Sequence, residues 1–172
     1  MKLLLHICCG PCSLYVIDAL KGRYPDDAIM GFFYNPNIHP YDELLRREAG
    51  AVKACAHKGI PLIRKEDYDL ASWKCFEGEN RCVMCYERRF METARYAAEN
   101  GYSHFTSTLF VSPYQNHEAM NQVAQAAAKK YEVIFLEGSD FRDGFYEGQN
   151  QARALGLYRQ KYCGCIKSLR GE

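Results

Sequence analysis

The chain lacks several features that would place it in a common class. No apolar run approaches the roughly 18 residues that a membrane-spanning helix needs. The short apolar stretch in the opening MKLLLHICCGPC meets cysteines rather than a small-residue cleavage site. Charge is balanced, with 22 Lys and Arg against 21 Asp and Glu, which argues against a uniformly basic nucleic-acid coat protein. These absences predict a cytoplasmic protein with no membrane partner.

Repeats, low-complexity tracts and linkers are missing as well. The 172 residues, 48% of them hydrophobic, suffice for one full core but not for two. We therefore predict a single catalytic domain over 1–172, with the core sheet at about 1–140 and a C-terminal helix and tail at 141–172 that close the site.

The residue in excess is cysteine, of which there are nine. A disulfide scaffold is typical of short secreted chains, whereas clustered cysteines in a reducing compartment indicate metal or redox chemistry. Two remain outside the clusters: Cys55 lies beside a helical apolar stripe, which predicts a buried small residue, and Cys75 has no assignable role. The other seven form three tight groups: Cys8, Cys9 and Cys12; Cys82 and Cys85; and Cys163 and Cys165.

Hydrophobic periodicity predicts strands that alternate with helices. Such alternation favours an α/β fold with a doubly wound, mostly parallel five-stranded sheet and right-handed crossovers, followed here by an ordered tail that contains cysteines. In such sheets ligands bind at the carboxyl ends of the strands. The predicted strands are 2–8, 28–34, 60–63, 104–110 and 132–136, and residues 67–84 are predicted to form a long loop.

This order of elements predicts that scattered segments converge at one edge of the sheet. CCGPC at 8–12 follows the first strand, 35–39 follows the second, and 112–114 follows the fourth. Cys82 and Cys85 are expected in the loop before a helix. A thiol at the start of the helix after Gly10 would have its thiolate stabilised by the helix N-terminus.

The cysteine spacing allows more than one metal. Cys8, Cys9, Cys82 and Cys85 together offer four thiolates, enough for a [4Fe–4S] cluster or a structural zinc. The cluster is favoured, since a structural zinc seldom needs the ligand edge of a sheet. Cys163 and Cys165, with one residue between them, suit a strained and readily reduced disulfide.

Six segments, in order, closely resemble the cobalamin-independent epoxyqueuosine reductase family of the QueH type. They cover nearly the whole chain and are HICCGPC, FYNPNIHPYDELLRR, RCVMCYERRF, FTSTLFVSPYQN, SDFRDG and LYRQKYCGC. The resemblance implies reduction of the epoxide of epoxyqueuosine at the tRNA wobble position, the last step of queuosine biosynthesis. It also implies a sheet like that of adenine nucleotide alpha-hydrolases.

The resemblance assigns roles to individual cysteines. It implies that Cys8, Cys9, Cys82 and Cys85 hold the [4Fe–4S] cluster, and that Cys163 and Cys165 form a redox-active disulfide. An additional mononuclear iron, held by cysteine and aspartate, is also implied. Its candidate ligands are Cys12 together with Asp140, Asp67 or Asp69. The implied partners are tRNA carrying epoxyqueuosine and an unidentified electron donor.

Candidate substrate-binding residues follow from position and chemistry. Stacking of an unstacked base needs aromatic rings and phosphate contacts need cations, and His39 could donate to substrate or to the second metal. Beyond residue 140, six cationic and three anionic side chains, Arg170 and Glu172 among them, give a local +3. The candidates for binding are Asn35, His39, Tyr114, Arg142 and Arg159, and further candidates for stacking are Tyr34, Phe141 and Tyr158.

Two other functions remain open at this point. A nucleotide-dependent tRNA-modifying transferase would share the sheet, although CCGPC replaces the phosphate-binding loop expected after the first strand. A zinc-stabilised tRNA-binding module would use the same four cysteines and leave Cys163 and Cys165 unexplained.

Overall fold

A computed structural model of the chain describes residues 1–169. Its centre is a five-stranded sheet in the order β3-β2-β1-β4-β5, and all four neighbouring pairs are parallel. The strands are β1 (Lys2–His6), β2 (Ala28–Phe33), β3 (Leu62–Arg64), β4 (His104–Ser107) and β5 (Ile134–Phe135). This arrangement confirms the predicted doubly wound α/β fold.

Six α-helices connect and cover the strands. Helix α1 packs against α2 and α6, and α4 packs against α5. Right-handed crossovers place the α1/α2 and α4/α5 pairs on opposite faces of the sheet. Among residues 1–169 no helix has the length and hydropathy that a bilayer span requires. The helices are α1 (Gly10–Arg23), α2 (Tyr41–Lys58), α3 (Leu70–Lys74), α4 (Arg81–Glu99), α5 (His117–Tyr131) and α6 (Phe145–Ala154).

The order of the strands reverses between β1 and β4. After β1 the chain adds β2 and β3 on one side, and it then returns to the other side of β1 for β4 and β5. At such a switch point the loops after the two central strands diverge and leave a crevice. The loop after β1 carries CCGPC, so the crevice opens beside the first cysteines.

Three elements differ from the sequence prediction. The segment predicted as a long loop contains α3, whose first turn is capped by the Asp69 carboxylate accepting from the Ser72 N–H. Helix α4 begins at Arg81, so Cys82 and Cys85 lie in its first five residues rather than in the preceding loop. Strand β4 ends at Ser107, where the chain turns into a 3-10 helix at Thr108–Val111. The predicted strand continued to residue 110 because the sequence stays apolar there. Residues 109–111 are apolar because they are buried, not because they form a strand.

Candidate functional site

The first cysteine group, defined as Cys8, Cys9 and Cys12, lies where β1 passes into α1. The three sulfurs lie within 4.8 Å of one another, and all three residues are buried. The close packing of α1 on α2 fixes this junction, because a Cβ at Gly10 would lie 2.6 Å from the Gly50 carbonyl oxygen. Glycine is therefore required at the centre of CCGPC for this approach of two helices.

Hydrogen bonds point at the sulfurs of this group from two directions. The Thr108 hydroxyl lies 3.2 Å from the Cys8 Sγ and accepts from the Cys8 N–H at 3.0 Å. From the C-terminal tail, the Gln160 amide donates to the Cys9 Sγ at 3.1 Å. Donors aimed at sulfur are typical of thiolate sites, where they tune the bound metal.

The three thiols also control one another's protonation. Hydrogen bonding with Cys12 and Cys9, aided by Thr108, holds the pKa of Cys8 well below its usual value. Hydrogen bonding with Cys8 and then Cys9, followed by burial, raises the pKa of Cys12 well above its usual value. Hydrogen bonding within the group thus favours a thiolate at Cys8 and opposes one at Cys12.

The second cysteine group is Cys82, Cys85, Cys163 and Cys165. Cys82 and Cys85 come from the first five residues of α4, the other two come from the tail, and all four line a small cavity of about 40 Å³. Burial raises the pKa of the Cys85 thiol. The Arg89 guanidinium, itself buried, donates to the Cys85 Sγ at 3.2 Å. This group thus combines buried and exposed thiols around one cavity.

A larger cleft of about 550 Å³ opens beside both groups. Cys8 and Cys12 line it from the first group, Cys163 lines it from the second, and Gln115 and Cys163 belong to both cavities. Aromatic and cationic side chains form much of its wall, among them Tyr114, Phe145, Tyr146, Arg153, Arg159 and Lys161. A hollow of about 700 Å³ at the opposite edge of the sheet has no cysteine or histidine in its lining. The redox-capable residues are thus concentrated at the cleft.

Several predicted site residues hold the structure together rather than line the cleft. Asn35 is buried and donates to the Ile7 carbonyl at 2.8 Å. His39 is buried, and its Nε2 lies 3.2 Å from the Asp69 carbonyl. Burial lowers the pKa of His39, which favours the neutral ring in this position.

None of the candidate carboxylates belongs to the compact group of Cys8, Cys9 and Cys12. Asp140 pairs with Arg23 at the far end of α1, which a rise of 1.5 Å per residue places about 16 Å from Cys12. Asp67 accepts from the Tyr34 hydroxyl at 3.1 Å, and Asp69 caps α3. The structure therefore does not bring an obvious carboxylate to the first group.

The remaining candidates divide between the cleft and other surfaces. Tyr114 is 82% exposed at the cleft, and Arg159 lines the same cleft. Arg142 is exposed on the 3-10 helix at Ser139–Gly144 and is not part of that lining, and Phe141 is buried in the core. The predicted disulfide partners Cys163 and Cys165 are both free thiols in the described conformation. Arg170 and Glu172 lie outside the described residues.

Several residues other than cysteine contact the sulfurs or the cysteine backbone, and the sequence did not predict these contacts. Thr108, Gln160 and Arg89 all donate to sulfur. Arg47 holds the backbone of the tail at Cys163. All four nevertheless fall within the segments that carry the family resemblance: Thr108 in FTSTLFVSPYQN, Gln160 in LYRQKYCGC, Arg89 in RCVMCYERRF and Arg47 in FYNPNIHPYDELLRR. Cys55, in contrast, is buried on α2 as predicted, and Cys75 is exposed at the end of α3.

The residues present fit a thiolate-bound metal cluster. The donors are sulfur alone, the first group is buried, and polar groups aim at the sulfurs as expected around such a centre. Cys82 and Cys85 do not belong to the compact group of three but face the adjoining cavity.

Comparisons with known proteins agree on one family. A family model described as epoxyqueuosine reductase QueH matches residues 3–171. A curated relative from Histophilus somni, named epoxyqueuosine reductase QueH, is 39% identical over 98% of this chain and 72% of its own length. A relative of the same name from Dehalococcoides mccartyi is 38% identical, with 97% and 92% covered.

Similarity to solved structures concerns the fold alone. The U34-tRNA thiolase NcsA from Methanococcus maripaludis, solved with its [4Fe–4S] cluster, superposes with a TM-score of 0.61 at 17% identity. The alignment covers 99% of this chain and 61% of the thiolase. A deacetylase from teicoplanin biosynthesis aligns with a TM-score of 0.55 at 10% identity. The same sheet thus carries very different chemistries.

Proposed function

The chain belongs to the QueH family of epoxyqueuosine reductases, and we propose that it reduces the epoxide in tRNA at the cysteine-lined cleft. The observation that carries this assignment of the site is the position of Cys163, which lines both the cleft and the small cavity of the second cysteine group. A thiol there is accessible to a substrate and adjacent to the other redox groups.

The proposed ligands of a [4Fe–4S] cluster are Cys8, Cys9, Cys82 and Cys85. The chemistry that such a cluster supplies is one-electron transfer. This chain contributes the hydrogen bonds to sulfur and the Arg89 cation beside Cys85, 3.2 Å away, which offsets negative charge on the thiolates. Cys12 is left as the thiolate for an additional iron.

The tail cysteines are proposed as the source of an electron pair. Converting the epoxide to an alkene requires two electrons and two protons and releases the oxygen as water. Oxidation of the Cys163 and Cys165 thiols to a disulfide releases the same two electrons and two protons, so the two half-reactions balance. A thiol or other external donor must then reduce the disulfide before the next turnover.

The wall of the cleft suits a nucleic acid. Tyr114 and Tyr146 are 82% and 76% exposed, and Phe145 lies between them in edge-to-face contact with each ring. Exposed rings stack on bases, and the cations Arg153 and Arg159 on the same wall would contact phosphates. We propose that this wall receives the anticodon loop, where the modified base is more easily unstacked than in a duplex.

Metal analysis of protein purified without oxygen tests this proposal. We expect about four to five irons and about four acid-labile sulfides per chain, with a broad visible absorption that bleaches on reduction. The same preparation should convert epoxyqueuosine tRNA to queuosine tRNA. A colourless protein with one zinc and no sulfide would refute the cluster and favour a zinc-stabilised RNA-binding module.

A further inference from the structure

A buried ion pair on α2 forms hydrogen bonds with the tail that carries Cys163 and Cys165. The carboxylate of Glu43 and the guanidinium of Arg47 are 4% and 3% exposed, and the Arg47 Nε donates to the Glu43 Oε1 at 2.9 Å. Burying two charges removes them from water, and their mutual attraction does not always recover that desolvation cost. A pair in this position therefore calls for an explanation beyond fold stability.

The free polar atoms of this pair are directed at the tail. The Arg47 Nη2 donates to the Tyr162 carbonyl at 2.8 Å, and its Nη1 donates to the Cys163 carbonyl at 3.0 Å. The Tyr158 hydroxyl donates to the second oxygen of Glu43 at 2.7 Å. The pair thus binds the backbone immediately before Gly164 and a side chain farther upstream.

The loop after β2 holds the same segment from the other side. The His39 N–H donates to the Gly164 carbonyl at 2.8 Å, and the Tyr162 hydroxyl donates to the His39 carbonyl. Gly164 has a φ of +112°, and a Cβ there would lie 3.0 Å from the Arg47 Nη1 and 3.1 Å from the Ile38 Cγ1. Only glycine fits this conformation without strain.

The two thiols of the tail lie in different environments. Cys163 is exposed, and its Sγ lies 2.8 Å from the Ser168 Oγ. Cys165 is 6% exposed and packs with Trp73 and Cys85. Both thiols are free in the backbone conformation that Arg47 and His39 hold.

We propose that Glu43 and Arg47 are positioning residues that hold the Cys163–Cys165 pair in its dithiol form. This inference rests on the redox role proposed for the pair. By opposing formation of the disulfide, these contacts make the disulfide a stronger oxidant, so that it is readily reduced again after each turnover. The contacts are made to backbone carbonyls, so they act on the conformation of the tail rather than on the sulfurs directly.

Arg47→Lys is the sharpest test, because the positive charge beside Glu43 remains. A lysine ammonium cannot reproduce the planar fork that reaches Glu43 and two carbonyls together. Arg64→Lys is the matched control, since Arg64 at the end of β3 is exposed and pairs with Glu48 of α2 at 3.4 Å. A melting curve for each variant confirms that it is folded.

The readout is the dithiol–disulfide equilibrium of the pair against glutathione buffers. Cleavage after Lys161 and Lys167 yields peptide 162–167, which contains no other cysteine, so alkylation and mass spectrometry report on this pair alone. We expect Arg47→Lys to favour the disulfide at least about tenfold, which is about 30 mV for a two-electron couple. Arg64→Lys should match the parent protein.

Steady-state kinetics on the holoenzyme provide the second readout. We expect Arg47→Lys to lower kcat at least about fivefold, because the disulfide is then reduced again more slowly after each turnover. Arg47 lines the cleft, but its three guanidinium nitrogens donate to Glu43, Tyr162 and Cys163, so KM should change less than about twofold. Parental values of both the equilibrium and kcat in Arg47→Lys would overturn the proposal.

Two further variants keep the test decisive. If Arg47→Lys does not fold, Gly164→Ala perturbs the same contact while leaving the ion pair intact, and it should shift the equilibrium in the same direction. A Cys163→Ser protein with full activity would instead refute the redox role of the pair, whatever Arg47→Lys does to the equilibrium.

Discussion

The two cysteine groups differ in how the chain builds them. Cys8, Cys9 and Cys12 fall within five consecutive residues, are all buried, and are fixed by one strand-to-helix junction. The second group joins the start of α4 to a tail more than 70 residues away, and two of its four thiols are exposed. The first group is therefore rigid by local construction, whereas the second depends on long-range contacts.

This difference fits two separate roles, metal binding for the first group and a dithiol–disulfide change for the second. A metal centre needs ligands held in fixed geometry, and a buried junction provides that. A dithiol that opens and closes in each turnover needs a backbone with two accessible conformations and a route to solvent. The exposed Cys163 on a tail held by Glu43 and Arg47 meets that need.

The largest expected effect would show whether the groups share one cluster. We expect Cys82→Ser to abolish both the visible absorption and the reductase activity, because it removes a ligand from the proposed cluster. Cys12→Ser should keep about four sulfides and the absorption while losing the additional iron. Iron and sulfide analysis of the two variants checks this. A fully coloured Cys82→Ser protein would confine the cluster to the first group.

The next effect separates the metal function from the dithiol function. We expect Cys163→Ser to retain the cluster and lose steady-state turnover at least about 100-fold, equivalent to about 2.7 kcal/mol in the barrier. Absorption spectra and initial rates on epoxyqueuosine tRNA provide the comparison. Loss of the cluster in this variant would merge the two roles that we propose for different segments.

A substitution at the rigid junction measures how firmly the first group is held. We expect Gly10→Ala to lower the free energy of unfolding by about 1–3 kcal/mol, because its Cβ would press on the Gly50 backbone. Gly22 lies in the same helix, and a Cβ on it would meet no atom within 4 Å. Gly22→Ala should therefore be neutral or gain up to about 1 kcal/mol. Equal stabilities in urea unfolding would contradict the tight contact.

The sequence predicted the first group better than the second for a physical reason. Local patterns specify β1, the turn at Gly10 and the start of α1, so the position of CCGPC followed directly from the fold class. The bond between Arg47 and the Cys163 carbonyl joins residues 116 positions apart, and no local pattern records it. Asp140 was a candidate iron ligand because it follows β5 in the chain. The segment that follows β5 packs against α1, however, and there Asp140 pairs with Arg23.

The smallest expected effect is on the binding of tRNA to the wall of the cleft beside both cysteine groups. Arg153 is exposed on the cleft, with its Nη1 donating to Asn150 at 2.7 Å. We expect Arg153→Gln to raise KM for tRNA a few-fold and to lower the slope of log affinity against log salt by about 1, since one phosphate contact is lost. Lys129→Gln, exposed in the last turn of α5, is the control and should change neither.

Because neither substitution reaches a sulfur, both should leave the absorption spectrum and the dithiol–disulfide equilibrium unchanged. A change in either spectrum or equilibrium would mean that the cleft wall and the cysteine groups are coupled, and the separation between binding and redox chemistry would fail.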